Sequence, residues 1–202
     1  MPAAPILLLD QTDSTNADAR RRADAGETGP LWIVARRQTE GRGRRGRSWE
    51  SQDGNLFSTL LQLTRKSPAE AAQVTFVAAL AIADLLDAYA PPSLVTIKWP
   101  NDVMLAGQKT SGVLVESGAH ESGGLWLAVG IGVNLAHAPE GTERPATALA
   151  HHLRGDVTAP PTVEAAAATL AAAFAVWMDL PLRGWAARRS RAWPRAWRPT
   201  AH

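Results

Sequence analysis

The sequence contains no cysteine. This absence excludes disulfide bonds, thiolate metal sites and thiol catalysis, and it fits a reducing compartment. No apolar run reaches the roughly 18 residues of a membrane span. The apolar segment 1–9 has neither a basic region nor a small-residue cleavage site, so no signal peptide is predicted. We therefore expect a cytoplasmic protein without a membrane partner.

Positive charge is concentrated in two segments. Residues 36–47 hold six arginines and one glutamate, and residues 183–202 hold six arginines and no acidic residue. Removing both segments from the 21 basic and 19 acidic residues leaves 9 basic and 18 acidic residues, a charge of −9. An arginine-rich loop in an acidic body favours a small-anion site over a nucleic-acid-binding face spread across a surface.

The 202 residues suit one domain with a small appendage, and 46% of them are apolar. We predict a domain over 1–182 and a basic tail, rich in Trp and Pro, over 183–202. Apolar patterning predicts strands over 5–10, 31–37, 55–63, 95–99, 103–105, 110–116 and 125–135. Capping and breaker residues predict helices over 15–25, 67–89, 147–154 and 163–178, with capping boxes beginning at Thr15 and Ser67. This order predicts an α+β fold, with a mixed sheet and helices packed mainly on one face.

The loop Gln38–Trp49 is the first segment with evident chemistry. Gly41, Gly43 and Gly46 allow close backbone approach, so backbone N–H groups can surround an anion. The intervening arginines are permanently charged, bidentate donors for carboxylate or phosphate. The spacing is neither that of a phosphate-binding P-loop nor that of a dinucleotide-binding turn. By itself the segment is as typical of a solvated basic loop, or of an RNA-contacting loop, as it is of an anion-binding site.

Four weaker segments accompany this loop. The tip of a predicted strand carries Asn101 and Asp102, where Asp102 could hold Mg²⁺ or only close an Asx turn. Lys109 stands before a strand with Gly112 three residues later. It could reach a bound anion, or it could be an ordinary surface lysine. The hydroxyls and the amide of segment 14–16 could hydrogen-bond a polar ligand, or the segment could serve only as a helix N-cap. Segment 130–134 ends in Asn134, and its alternative is a bulged strand end.

In their order and spacing the five segments resemble the biotin protein ligase family. The matching sequences are Ser-Thr-Asn at 14–16, Gln38 with Gly-Arg-Gly-Arg-Arg-Gly-Arg at 41–47 and Trp49, Lys-Trp-Pro-Asn-Asp-Val at 98–103, Lys109 with 112–116, and Gly-Ile-Gly-Val-Asn at 130–134. The resemblance covers about residues 5–182. It implies the fold of biotin and lipoate ligases. It also implies condensation of biotin with ATP and Mg²⁺ to biotinyl-5′-adenylate, and transfer to a lysine of a biotin carboxyl carrier domain.

The resemblance also implies roles for individual residues. Lys109 and Arg44 would be catalytic, and Asp102 would bind the metal. The nucleotide would be bound by Arg47, Trp49, Asn101 and Asn134. Biotin would be bound by Ser14, Thr15, Asn16, Gln38, Arg42, Gly43, Arg44, Lys109 and Gly112.

The chain departs from the family pattern at both ends. Only 13 residues precede Ser14, too few for the helix-turn-helix of larger members, so we expect a monofunctional enzyme that does not bind DNA. The tail 183–202 stands where members carry a small barrel, and we interpret it as a truncated or frameshifted replacement. The sequence leaves a homodimer open. The alternatives are a lipoate–protein ligase, a transfer-impaired biotin-binding remnant and an RNA-binding protein.

Overall fold

One seven-stranded sheet organises the protein in this computed structural model, which describes residues 4–98, 102–142 and 144–179. The strands are β1 (Ile6–Thr12), β2 (Leu31–Gln38), β3 (Leu56–Thr64), β4 (Val95–Lys98), β5 (Asp102–Leu105), β6 (Gln108–Ala119) and β7 (Leu125–Val133). The helices are α1 (Thr15–Asp24), α2 (Pro68–Ala71), α3 (Val74–Asp87) and α4 (Val163–Asp179). The predicted 183–202 tail and Asn101 lie outside the described residues.

The strand order is β1-β2-β3-β7-β6-β5-β4. β1 and β2 pair in parallel, because α1 carries the chain back across the sheet between them, and the other neighbours are antiparallel. The turn between β5 and β6 is Ala106-Gly107, where both residues have positive φ. The sequence predicts a hairpin around Ala106-Gly107, and the structure has one there, with positive φ at both central residues as in a tight type I′ turn.

The main hydrophobic core lies between the sheet and the helices α3 and α4. Ten of the fourteen residues of α3 are buried, which explains why its apolar residues surround the helix rather than forming a stripe. The Trp177 indole of α4 donates a hydrogen bond of 2.6 Å to the Asp84 carboxylate of α3. The predicted mixed sheet with helices mainly on one face is confirmed.

Helix α1 alone covers part of the opposite face. Its Ala19 and Ala23 pack against Ile33, Leu61 and Ala128 of three adjacent strands in a second, smaller core. The small alanine side chains bring the helix close to the sheet. The first turn of α1 is thereby placed over β3 and β7, where the candidate site begins.

The run Pro68–Asp87 is long and apolar enough for a membrane span, with a mean hydropathy of 1.6. Within the fold, 61% of that window is buried. It comprises α2 and α3, which the sequence predicts as one helix over 67–89 and which the structure separates after Ala71. The predicted capping box at Ser67 is confirmed, since Ser67 and Glu70 bond reciprocally to each other's backbone N–H.

Two local predictions are wrong. The N-cap of α1 is Ser14 rather than Thr15, and no side chain caps the helix. Asp18 instead accepts a hydrogen bond of 2.6 Å from Arg22, a charge-assisted contact one turn along the helix. The predicted helix over 147–154 is reduced to the single 3₁₀ turn Leu149–His151. The backbone of Thr147 cannot start a helix because it bonds to Lys109 and Asn134.

Asn55 fixes the chain segment that follows β7. Its carboxamide oxygen accepts three N–H bonds of 3.0 Å, from Leu135, Ala136 and His137, and its Nδ2 donates 2.8 Å to the His137 carbonyl. We expect Asn55→Ala to lower the free energy of unfolding by about 2–4 kcal/mol, because three backbone donors lose their acceptor. Denaturant titration measures this loss.

Asn55→Asp is the matched control for that substitution, because it keeps an oxygen acceptor for the three N–H groups, which stabilise its new negative charge, and replaces the donor to the His137 carbonyl with a second acceptor. We expect it to lose less than half of what the alanine variant loses. An alanine variant as stable as the wild-type protein would show that the Asn55 bonds do not hold this segment.

Candidate active site

A cleft of about 790 Å³ opens on the face of the sheet that carries α1. Every predicted site residue that the structure describes lines it: Ser14, Thr15, Asn16, Gln38, Arg42, Gly43, Arg44, Arg47, Trp49, Asp102, Lys109, Gly112 and Asn134. These residues come from five separate segments of the chain. The fold therefore brings the five predicted segments together at one place.

Hydroxyl and amide groups form one end of the cleft. Gln38 Oε1 accepts a hydrogen bond of 2.9 Å from the Thr15 backbone N–H, and the Thr15 hydroxyl lies 3.1 Å away. The hydroxyl of Thr59 lies 2.8 Å from the Thr15 hydroxyl and 2.7 Å from Asn16 Oδ1. Thr15, Asn16 and Thr59 are buried. This network holds polar groups in fixed positions, as recognition of a small polar ring requires.

The Asn16 carboxamide is oriented from two sides. Its Nδ2 donates a hydrogen bond of 2.7 Å to Glu116 Oε2, so its Oδ1 faces Thr59. Gly130 lies directly beneath, and a Cβ at that position would collide with the Asn16 oxygen. Ser14 is the N-cap of α1, directly before Thr15 and Asn16, and its side chain makes no capping hydrogen bond. The orientation of the amide is thus set by β6, β3 and a bare stretch of β7.

An ion pair anchors the turn that carries these residues. Asp13 accepts two bonds from the Arg21 guanidinium, of 2.7 and 2.9 Å, and one of 2.7 Å from the Ser14 N–H. Arg21 has the largest effect in holding the pKa of Asp13 well below its usual range, while partial burial opposes it. The Asp13 carbonyl also accepts the Glu40 N–H, which ties the turn to the start of the arginine loop.

Asp13→Asn should lower stability by about 1 kcal/mol at neutral pH, a modest value because both charged side chains are partly exposed. The folded-state pKa lies below the unfolded value of about 3.9, so the carboxylate stabilises the fold above that value and loses its effect as pH falls. Denaturant midpoints should therefore differ near pH 7, and the difference should start to shrink below about pH 4 and vanish only as the pH falls through the folded-state pKa. A difference that does not change with pH would contradict this role for the ion pair.

A pair of glycines forms the floor in the middle of the cleft. Gly112 and Gly132 are partners across β6 and β7, and the Trp49 indole lies over both. A Cβ at Gly132 would lie 2.6 Å from the Trp49 ring. Trp49 Nε1 is buried and has no hydrogen-bond partner among the described residues. The indole thus rests directly on the backbone and presents one unused donor.

Lys109 and Asp102 form the polar centre beyond the indole. Lys109 Nζ lies 2.9 Å from Asp102 Oδ1 and 5.6 Å from the Trp49 ring centroid. Asp102 is paired with Gly112 across β5 and β6, and a register shift follows between Val103 and Met104. This bulge places Lys109 and Asp102 on the same side of the sheet.

The arginine loop arches over this centre. Its base is closed by the Arg42–Ser48 bridge and by a hydrogen bond of 2.7 Å from the Gly43 N–H to the Arg47 carbonyl. At its tip, Arg45 and Gly46 both have positive φ, which Gly46 adopts without strain. The arginine side chains of the loop are exposed. The loop thus places several guanidinium groups along the edge of the cleft.

Asn134 stands in the cleft wall and is 2% exposed. Its Nδ2 donates a hydrogen bond of 3.1 Å to the Thr147 carbonyl, and its backbone joins Thr110 and Leu149. Its carboxamide nitrogen is therefore engaged in holding the 145–149 segment against the sheet. The predicted nucleotide contact of Asn134 remains a prediction.

The features lie in a fixed order along β6 and β7. Asn16 lies over Gly130, Trp49 lies over Gly132 two residues later, and Lys109 and Asp102 follow. Two residues of strand advance about 7 Å, so the cleft is an elongated channel. A polar ring at the first end, an apolar chain alongside the indole and an anion at Lys109 match its chemistry. An acidic small molecule and a phosphate can meet there under several positive charges.

Such a site on a mixed α+β sheet defines a ligase that activates a carboxylic acid. A sequence model of the biotin/lipoate A/B protein ligase family matches residues 8–134. The chain belongs to this family. The match includes segments 14–16, 38–49, 98–103, 109–116 and 130–134.

Individual relatives agree with this assignment. The chain is 43% identical over 194 residues to the biotin–[acetyl-CoA-carboxylase] ligase of Paracoccus denitrificans, covering 91% of this chain and 80% of that protein. It is 36% identical to the bifunctional ligase/repressor of Bacillus subtilis, over 66% of this chain and 41% of that protein. The chain thus spans about two fifths of the bifunctional relative.

Solved structures share the fold. Biotin protein ligase from Aquifex aeolicus, in complex with biotin and ATP, is 28% identical and superposes with a TM-score of 0.66, covering 86% of this chain and 70% of that one. The Leishmania major enzyme in complex with biotinyl-5-AMP superposes with a TM-score of 0.75 at 23% identity, covering 98% and 85%. The second likeness concerns the fold alone.

Sequence reasoning missed several residues of the cleft. Thr59 and Glu116 support the cleft by bonding to Asn16; Glu116 ends the recognised segment 112–116 without an assigned role, and Thr59 lies in a strand, where a polar residue between apolar neighbours gives no specific signal. Lys98 and Arg144 line the far end of the cleft. Lys98 belongs to a recognised segment, but no spacing rule indicates Arg144, because its contact with the site depends on tertiary structure.

Proposed function

We propose that the protein activates biotin with ATP to biotinyl-5′-adenylate and transfers the biotinyl group to a lysine of a biotin carboxyl carrier domain. The observation that carries this proposal is the single cleft that joins a hydroxyl–amide pocket to Lys109 and the arginine loop. The 43% identity to a biotin–[acetyl-CoA-carboxylase] ligase supports biotin as the acid and a carboxylase carrier as the acceptor.

In the first step two anions must react. The hydroxyl–amide end would hold the ureido ring, and the acyl chain would run past the Trp49 indole to place its carboxylate near Lys109. Lys109 and Arg44 would offset the repulsion between carboxylate and polyphosphate and stabilise charge on the five-coordinate phosphorus. Closure of the arginine loop would keep water from the mixed anhydride.

Asp102 is the residue we propose to hold Mg²⁺. This ion keeps several waters and takes one or two carboxylates together with phosphate oxygens. Asp102 supplies one buried carboxylate in the cleft, and the described residues contain no group of three or more His, Cys, Asp or Glu side chains that could bind a metal. These residues fit an ion that arrives with the nucleotide, where it would neutralise phosphate charge.

In the second step the carrier lysine attacks the acyl carbon. Its amine must be neutral and well oriented, so positioning contributes most of the rate. The open side of the cleft beside the arginine loop would admit a lysine on a protruding turn. We propose that this occurs in the cytoplasm with a monofunctional enzyme, in either a monomer or a homodimer.

A lipoate–protein ligase is the second candidate, since the family includes lipoate enzymes. Two features favour biotin. The ring end of the cleft has three polar side chains, Thr15, Asn16 and Gln38, which match a ureido group better than a dithiolane ring. Two relatives, from Paracoccus denitrificans at 43% identity and from Mycobacterium tuberculosis at 33%, are named biotin–[acetyl-CoA-carboxylase] ligases.

One assay tests the proposal and separates these candidates. The protein is incubated with ATP, Mg²⁺ and either biotin or lipoate, and pyrophosphate release and labelling of a carrier domain are followed. We expect biotin-dependent release and carrier labelling. Lipoate-dependent release would establish the second candidate, and biotin-dependent release without labelling would indicate an enzyme impaired in transfer. Biotin binding without any release would overturn the proposed activity and indicate a binding remnant.

A further inference from the structure

The chain segment around Ala146 is bonded to Lys109. The Lys109 N–H donates 3.0 Å to the Pro145 carbonyl, and the Thr147 N–H donates 2.9 Å to the Lys109 carbonyl. Lys109 and Ala146 thus form a parallel bridge outside the named strands. The backbone carrying Arg144 is therefore held in register beside Lys109, although the two residues are far apart in sequence.

Arg144 extends into the cleft next to Asp102. Its guanidinium lies 4.0 Å from Asp102 Oδ2, while the other oxygen of that carboxylate lies 2.9 Å from Lys109 Nζ. Two cations thus flank one carboxylate. The Arg144 contact is long and its side chain is 64% exposed, so this pair is weak and the guanidinium can turn to an incoming anion. Thr142 donates 2.6 Å to the Arg144 carbonyl and shapes the turn from which the side chain extends.

The direction of the cleft determines what reaches Arg144. The acid enters from the Asn16 end, so its carboxylate oxygen attacks the α-phosphorus from that side. In an in-line displacement the leaving oxygen departs on the opposite side. The bond from carboxylate oxygen to α-phosphorus forms, the bond from α-phosphorus to the bridging oxygen breaks, and pyrophosphate leaves with the electron pair. Arg144 approaches the Asp102 oxygen that does not contact Lys109, so its guanidinium is available to the phosphates that leave past Lys109.

We propose that Arg144 binds the β- and γ-phosphates of the nucleotide and stabilises the pyrophosphate leaving group. This inference rests on the proposed adenylation. A guanidinium forms bidentate, charge-assisted bonds with phosphate oxygens and carries its charge at every accessible pH. The arginine loop and Arg144 would therefore hold the triphosphate from two separate parts of the chain.

The test compares two ligands that correspond to different parts of ATP: pyrophosphate to the β- and γ-phosphates, and AMP to the nucleoside with the α-phosphate. Isothermal titration measures binding of pyrophosphate with Mg²⁺, and of AMP, to the wild-type protein, Arg144→Ala and Arg144→Lys. We expect Arg144→Ala to weaken pyrophosphate binding roughly 10- to 100-fold, as for a lost bond to a charged group, and to leave AMP binding within about 2-fold. Arg144→Lys should restore part of the affinity.

Arg20→Ala is the control, because Arg20 is 70% exposed on α1 and forms its ion pair with Asp24, one turn along the same helix. It should change neither affinity. Equal weakening of both ligands by Arg144→Ala, or no weakening of pyrophosphate, would overturn the inference. Steady-state kinetics of Arg144→Ala provide a second measurement, in which the ATP KM should rise and the biotin KM should not. Pyrophosphate binding needs no turnover, so a protein that fails to adenylate biotin would refute the proposed function and still report on Arg144.

Discussion

Lys109→Met lowers the rate of adenylate formation about 10²–10³-fold, the loss observed when one donor to a developing oxyanion is removed. The Lys109 ammonium lies 2.9 Å from Asp102 and over the Trp49 ring, where the proposed mechanism requires the acid and the phosphate to meet. Methionine keeps the length of the side chain and removes the charge. The biotin KM should change little, because the ring is held at the opposite end. Single-turnover pyrophosphate release measures the effect.

Lys66→Met is the matched control, since Lys66 is an exposed lysine before α2 and outside the cleft. It should keep the wild-type rate. A Lys109→Met variant with wild-type kinetics would remove Lys109 from the chemistry. A rise in the biotin KM with an unchanged rate would assign Lys109 to acid binding rather than to the reacting centre.

Gly130→Ala raises the biotin KM roughly 10- to 100-fold, because the new methyl group would displace the Asn16 carboxamide. The amide cannot move aside without breaking its bonds to Glu116 and Thr59, and each such bond is worth about 1–3 kcal/mol when one partner is left buried. The ATP KM should stay near the wild-type value. Steady-state kinetics with each substrate varied in turn separates the two effects.

Gly155→Ala is the control for that glycine substitution, since a Cβ at Gly155 meets no atom within 4 Å. It should leave both KM values unchanged. If Gly130→Ala raised the ATP KM as much as the biotin KM, the Asn16 end would not be the acid-binding end. The assigned direction of the cleft would then be wrong.

Much of the site could be predicted because its chemistry lies in short segments. The loop 41–47 and the tripeptide 14–16 are each ambiguous alone, and it is their order and spacing with the other three segments that indicate ligand binding. The strands were predictable to within a few residues, since apolar runs and the Ala106-Gly107 turn delimit them. The Gly112–Gly132 pair illustrates the limit. Each glycine suggests close approach of some group, but only the register of β6 and β7 shows that they form one floor for Trp49.

Other features depend on contacts between distant parts of the chain. The helix predicted over 147–154 fails because Thr147 bonds to Lys109, a pairing that local helix propensity cannot include. Arg144 enters the cleft through the same pairing. Thr15 loses the expected capping role because its hydroxyl lies beside Gln38 and Thr59. In each case tertiary hydrogen bonds at the site override a local preference.

A crystal structure of the protein with biotin and ATP tests the central claim most directly. The account predicts biotinyl-5′-adenylate with its ureido ring within about 3.2 Å of polar atoms of Thr15, Asn16 or Gln38. Its acyl chain should pass alongside the Trp49 indole, and its anhydride should lie next to Lys109. A ligand bound in the reverse direction, or outside this cleft, would contradict it.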